Sequence, residues 1–193
     1  MKIGKNVMRT ALGRRLFGTM LLVSMAGCAA PVEVKGSNRD PAYQGKITRV
    51  LVTTELRAPG LTATQNEGFV RAFEIRESLA AAWGPLGVSF IVVDLADGQG
   101  AAEVAQFAPQ QLLALTLKGH RLYSYVVDAY DVDASLTDVS TKRRVWRGSM
   151  RFNGMQESGR MRHSGLGGAI SHQNDANDLV QALTAKLKSD GLL

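Results

Sequence analysis

Two hydrophobic patterns divide this chain, and together they limit the fold it can adopt. Residues 47–54 (Ile-Thr-Arg-Val-Leu-Val-Thr-Thr) and 88–93 (Val-Ser-Phe-Ile-Val-Val) are near-continuous β-branched and apolar runs. Such runs belong to strands covered on both faces, the usual condition of parallel strands joined by helices. Further on, Tyr130, Val132, Ala134 and Leu136 alternate with Asp131, Asp133, Ser135 and Thr137. That period of two describes an antiparallel strand with one face in water. A chain carrying both patterns in this order is expected to be a single α/β domain with a mixed sheet of about five strands. Helices pack on that sheet, and it includes one long antiparallel hairpin.

The connecting segments fit this reading. Arg57-Ala58-Pro59-Gly60 makes a turn, and Thr64 with Glu67 forms a capping-box pattern. Phe69, Phe73, Ala80 and Trp83 then recur at helical spacing, until Gly84-Pro85 stops the helix. Residues 101–107 read as a short helix ended by Pro109. Residues 111–117 fit a strand or a helix by period alone, and Leu-Thr-Leu followed by Gly119 favours the strand. Residues 138–142 turn the chain, and 145–152 return with Trp146, Met150 and Phe152 on one face and Arg147 and Arg151 on the other. On this hairpin Asp131 and Asp133 are expected opposite the arginines. Asn174 or Asp175 caps a last helix with Leu179, Val180, Leu183 and Leu187 on one stripe, and Gly191 takes the left-handed position past its end.

The start of the chain bears on place rather than fold. Residues 1–27 hold Lys2, Lys5, Arg9, Arg14 and Arg15 with no acid, and an apolar run begins at Leu16. A basic start, a short apolar run and small residues before a cut make a secretory signal. The run is too short for a spanning helix, which needs about 20 apolar residues. Met25-Ala26-Gly27-Cys28 resembles the bacterial lipoprotein box, with Met25 in place of the usual Leu. The resemblance implies a diacylglyceryl thioether and a further acyl chain on Cys28, the only cysteine. Ordinary cleavage would instead leave a lone thiol in an oxidising compartment. Arg14-Arg15-Leu16-Phe17 looks like a twin-arginine export signal, a pattern that ordinary secretory leaders share. Ala29 resembles the sorting residue of outer-membrane lipoproteins, so the expected location is the periplasmic face of the outer membrane.

Charge follows from the leader. The formal charge of +6 falls to +1 once the five basic leader residues are set aside, leaving 18 Lys and Arg against 17 Asp and Glu. A nucleic-acid partner wants a basic footprint on the domain itself, and this balance does not supply one. Residues 28–46 contain Pro31, Gly36, Ser37, Asn38, Pro41 and Gly45 and read as a lipidated flexible tether with a reach of about 20–25 Å. The domain proper is then 47–193. Residues 153–171 carry five glycines and form a loop long enough to be functional or disordered.

No residue set supports catalysis. His120, His163 and His172 lack metal-ligand spacing, and Gly165-Leu166-Gly167-Gly168 lacks the strand and lysine of a phosphate cradle. Ser164 beside His163 has no Gly-x-Ser-x-Gly context. No cofactor, no metal site and no enzymatic activity are expected. The strongest local feature is a basic cluster of Lys142, Arg143, Arg144, Arg147, Arg151, Arg160 and Arg162. Of these, Arg144, Arg147, Arg151, Arg160 and Arg162 are the candidate partner-binding residues, since the guanidinium fork suits phosphates and carboxylates. The plainer alternative is a solvated hairpin paired to Asp131, Asp133 and Asp138.

In layout, and in the run Thr141-Lys142-x-x-Val145-Trp146-Arg147-Gly148, the chain resembles small periplasmic lipoproteins of uncharacterised type. More distantly it resembles the lipoprotein that activates a peptidoglycan synthase and the N-terminal domain of the Tol translocation protein. The resemblance implies a lipid-anchored, non-enzymatic module that binds an envelope protein, peptidoglycan or anionic lipid. The alternative is a small-ligand or lipid-binding periplasmic module, which requires an apolar pocket between helix and sheet.

Overall fold

The computed structural model describes residues 32–66, 69–97, 101–123, 126–152 and 173–193. The strands are β1 (Val32–Arg39), β2 (Arg49–Glu55), β3 (Ser89–Asp94), β4 (Gln111–Tyr123), β5 (Val126–Asp138) and β6 (Arg143–Phe152). The helices are α1 (Ala63–Asn66), α2 (Ala72–Trp83), α3 (Ala101–Phe107) and α4 (Gln173–Ser189). The strands form one mixed sheet in the order β1-β6-β5-β4-β2-β3. As the two patterns predict, β2 runs parallel to β3 and β4, while β4, β5 and β6 form an antiparallel meander.

One inner face holds the core. Val50 and Val52 of β2, Leu113 and Leu115 of β4, Val132 and Leu136 of β5, and Trp146 and Met150 of β6 are buried there. They pack under Ile75, Leu79 and Trp83 of α2 and Leu179, Leu183 and Leu187 of α4. Two polar pins join these helices. The Trp83 indole donates to Thr184 Oγ1 at 2.8 Å, and the Ser78 hydroxyl donates to Asn177 Oδ1 at 2.7 Å. Helix α3 lies against the opposite face, where the Arg49 guanidinium sits 4.8 Å over the Phe107 ring. No helix among the described residues is long and apolar enough to cross a membrane.

Three expectations need correction. First, the tether predicted over 28–46 contains strand β1, which brings the sheet to six strands among the described residues, close to the five or so expected. Its sequence is poor in apolar residues because, among the described residues, it is an edge strand, paired only with β6 and slipped in register between Val34 and Gly36. Second, the helix expected from Thr64 is broken in two. The capping box forms two residues earlier: the Thr62 N–H donates to Gln65 Oε1 at 2.9 Å, and the Gln65 N–H to Thr62 Oγ1 at 3.2 Å. Phe69 and Val70 then plug the core between the two helices. A fresh start follows at Arg71, whose N–H donates to Glu74 Oε2 at 2.9 Å. Phe73, expected on the buried stripe, is therefore 49% exposed, and Ala80 is exposed too. Third, α4 begins at Gln173, so Asp175 lies in its first turn, where a carboxylate suits the helix dipole.

Candidate functional site

Alternation in β5 and β6 leaves one face of the antiparallel part of the sheet polar. Asp131, Asp133, Ser135, Arg147, Ser149 and Arg151 are on it, and no helix covers it among the described residues. β1 extends this face with Lys35, Gly36 and Asn38, and β4 with Thr116 and Lys118. All of these except Asp131 and Arg151 line a groove of about 760 Å³. Lys35, Lys118, Arg144 and Arg147 face it, with Asp133 as the one carboxylate among the described residues that line it.

The register decides which cations are neutralised. Arg151 stands directly opposite Asp131 and makes a bidentate pair, with both bonds at 2.9 Å. Lys35 reaches the same carboxylate at 3.2 Å. The Arg151 guanidinium, with Lys35 assisting, holds the Asp131 carboxyl below its usual range, and Asp131 in turn keeps Arg151 firmly protonated. Asp133 stands opposite Ser149 rather than an arginine, and takes Lys118 at 3.0 Å. Asp138 stands opposite Arg143 in the register but makes no ion pair with an arginine among the described residues. It accepts hydrogen bonds from Ser140 and Thr141 and shapes the hairpin turn, which holds its pKa down. Arg143 pairs at 2.8 Å with Asp40, a residue of the supposed tether. Arg144 and Arg147 have no ion pair among the described residues, and both face the groove.

Of the five arginines singled out by sequence, the structure thus brings Arg144 and Arg147 together and engages Arg151 in a pair. Arg160 and Arg162 lie outside the described residues, as do Cys28, His163, Ser164, His172 and the whole of the glycine-rich loop 153–171. Sequence reasoning missed Lys35 and Lys118. The signal for Lys118 was its place on the Thr116 face of β4, whereas Lys35 was hidden inside the assumed tether. His120 packs edge-on against Phe69 with ring centroids 6.0 Å apart. Among the described residues no group of three or more His, Cys, Asp or Glu could hold a metal ion.

A second cleft, of about 600 Å³, opens where β2 and β3 end and α2 begins. Arg57, Arg71, Phe73, Arg76 and Asp94 line it. So does Thr54, whose hydroxyl is buried without a hydrogen-bond partner among the described residues. Arg57 approaches Asp94 at 3.6 Å, Arg71 pairs with Glu74 at 2.7 Å, and Arg76 donates to the Val92 carbonyl at 3.0 Å. With Glu103 also in the lining, the three arginines face the carboxylates of Asp94, Glu103 and the Arg71-bound Glu74, which leaves the cleft close to charge balance.

No family model and no curated protein matches the sequence. Among solved structures, PelC from Paraburkholderia phytofirmans, a dodecamer, aligns with a TM-score of 0.47 and 16% identity, covering 79% of this chain and 95% of that one. Protein XCC0632 from Xanthomonas campestris aligns with a TM-score of 0.39 and 12% identity, covering 79% and 94%. Likenesses this shallow leave activity and partner to be argued from the chain's own residues.

Proposed function

We propose that this chain is a non-enzymatic lipoprotein of the cell envelope. It is moored by acyl chains on Cys28 to the periplasmic face of the outer membrane, and it binds an acidic envelope protein across the groove of β1, β6, β5 and β4. The observation that carries the binding reading is the contrast within the cluster. Arg143 and Arg151 have carboxylate partners, while Arg144 and Arg147 have none among the described residues and share the groove with Lys35 and Lys118. Guanidinium groups left without a counter-ion in a concave polar surface attract a partner's carboxylates and steer its approach.

The test is crosslinking in intact envelopes, comparing wild type with Arg144→Glu/Arg147→Glu. A discrete crosslinked adduct should form with wild type, weaken with salt, and vanish in the double reversal, while Arg143→Glu leaves it in place. An adduct that persists in the double reversal overturns the groove. Anionic vesicles serve as the second arm, because binding to them that needs Arg144 and Arg147 would point to headgroups instead of a protein. Cys28→Ala tests the mooring separately by moving the protein from the membrane to the soluble fraction.

The small-ligand reading keeps one specific support, the buried Thr54 hydroxyl at the second cleft. A ligand that supplies its missing hydrogen bond should bind less well to Thr54→Val.

A further inference from the structure

The correction at β1 changes how the domain stands relative to the membrane. The tether as read from sequence leaves the globule floating. With β1 starting at Val32, only residues 29–31 separate Cys28 from the sheet. Four Cα–Cα steps span at most about 15 Å. β1 does not peel away freely either. Val32 is buried, the Ser37 hydroxyl donates to Asp190 Oδ2 at 2.6 Å, and Arg39 donates to the carbonyls of Asp190 and Tyr43.

The register then says which end of the sheet is brought to the bilayer. Val32 stands opposite Phe152, Phe152 opposite Tyr130, and Tyr130 opposite His120. Two residues beyond His120, and so about 7 Å further along the sheet, β4 reaches Arg121 and Leu122 on its way into β5. The Leu122 side chain is 38% exposed, next to the exposed Arg121. An apolar side chain beside a cation suits the boundary between acyl chains and phosphates. At the opposite end of the sheet the β5–β6 turn presents Val139, which is 43% exposed. It is separated from the end of β4 by the 13 residues of β5, about 43 Å of strand.

We propose that the end of β4, through Leu122 and Arg121, rests in the bilayer interface, and that the sheet stands up from the membrane with the β5–β6 turn farthest from it. This rests on acylation of Cys28 as proposed above. It places the Arg144/Arg147 groove on the flank of the upright sheet, open to a partner approaching from the periplasm.

The experiment uses the full lipidated protein in phosphatidylethanolamine/phosphatidylglycerol vesicles. Acylation consumes the Cys28 thiol, so Leu122→Cys and Val139→Cys each carry a single reactive thiol for a polarity-sensitive fluorophore. The label at 122 should shift to the blue and be quenched several-fold more by spin-labelled lipid than the label at 139. A long Gly/Ser insert after Pro31 should abolish that difference. Arg121→Cys provides a second position should Leu122→Cys disturb the end of the strand. Equal quenching at both ends, no quenching at 122 or 121, or indifference to the insert overturns the orientation while leaving the anchor standing. An unmodified Cys28 by mass spectrometry removes both.

Discussion

Trp146 joins three distant parts of the chain. Its indole N–H donates to Asp190 Oδ2 at 2.7 Å, the same carboxylate that ties down Ser37. Its ring lies across Gly148, where an added Cβ would come within 2.7 Å of the indole Cη2. The Val145-Trp146-Arg147-Gly148 run is thus explained by packing: Gly148 makes room for the ring and Asp190 holds it. Gly148→Ala should cost about 1–3 kcal/mol, the scale of overpacking a full core, read as a lower urea midpoint. Asp190 itself is pH-sensitive. Burial pushes its carboxyl up, but hydrogen bonds from Lys186, Ser37 and Trp146 outweigh burial and leave its pKa below the ordinary value. A depressed folded pKa means that the stabilisation is present above the unfolded value, about 3.9, and is lost as pH falls through the folded one. Asp190→Asn should therefore weaken the protein by about 1–3 kcal/mol at neutral pH and flatten its acid dependence below about pH 4. Equal acid slopes in wild type and variant would contradict this. Thr54→Val runs the other way. Removing a buried hydroxyl that has no partner among the described residues should stabilise the unliganded protein by about 1 kcal/mol or more, visible as a higher melting temperature.

Among the elements, β1 was the least legible. Val32 and Val34 are its only large apolar residues, and Gly36, Ser37 and Asn38 carry the composition of a linker. What makes it a strand is non-local: a partner edge in β6, an Asp190 carboxylate 153 residues away from Ser37, and a carbonyl of that same residue for Arg39. No window of local sequence contains those groups. The break between α1 and α2 was hidden for a related reason. Phe69 and Phe73 have helical spacing, but Phe69 is drawn out of register by edge-on contact with Tyr130, at a centroid distance of 5.2 Å. By contrast β2 to β6 and α4 follow their hydrophobic patterns closely, because each carries its own period of burial. A chain begun at Val32 should keep the full stability of the domain. One begun at Lys46 loses β1, the Asp190 clamp and the cover over the β6 edge. It should melt about 10 °C lower or worse and associate through the bared edge. Circular dichroism melts with size-exclusion chromatography decide this, and equal stability of the two chains would return residues 32–45 to the status of a tether.

At the scale of the whole molecule, the candidate groove was only half visible for the same reason as β1. The alternation on β5 and β6 placed Arg147 and Arg151 on one face correctly. Which of them lacks a counter-ion among the described residues depends on pairing across strands and on Lys35, a residue the sequence reading placed in the tether. The same long-range ties make a prediction about cooperativity. Trp83, on the parallel side of the sheet, is pinned by its indole to Thr184, while Trp146, on the antiparallel side, is pinned to Asp190. Thr184 belongs to α4 and Asp190 directly follows it, so one helix fastens both halves of a continuous sheet. Neither half can shed its indole without loosening the helix that covers the other. Unfolding should therefore be two-state. In the single-tryptophan variants Trp83→Phe and Trp146→Phe, the remaining indole should report a urea transition that coincides with the loss of helical dichroism in that variant. If Trp146 were released at lower urea than the helix signal while Trp83 tracked it, the antiparallel half would be a separate, weaker unit. The clamp on β1 would then be too soft to support the proposed orientation of the sheet.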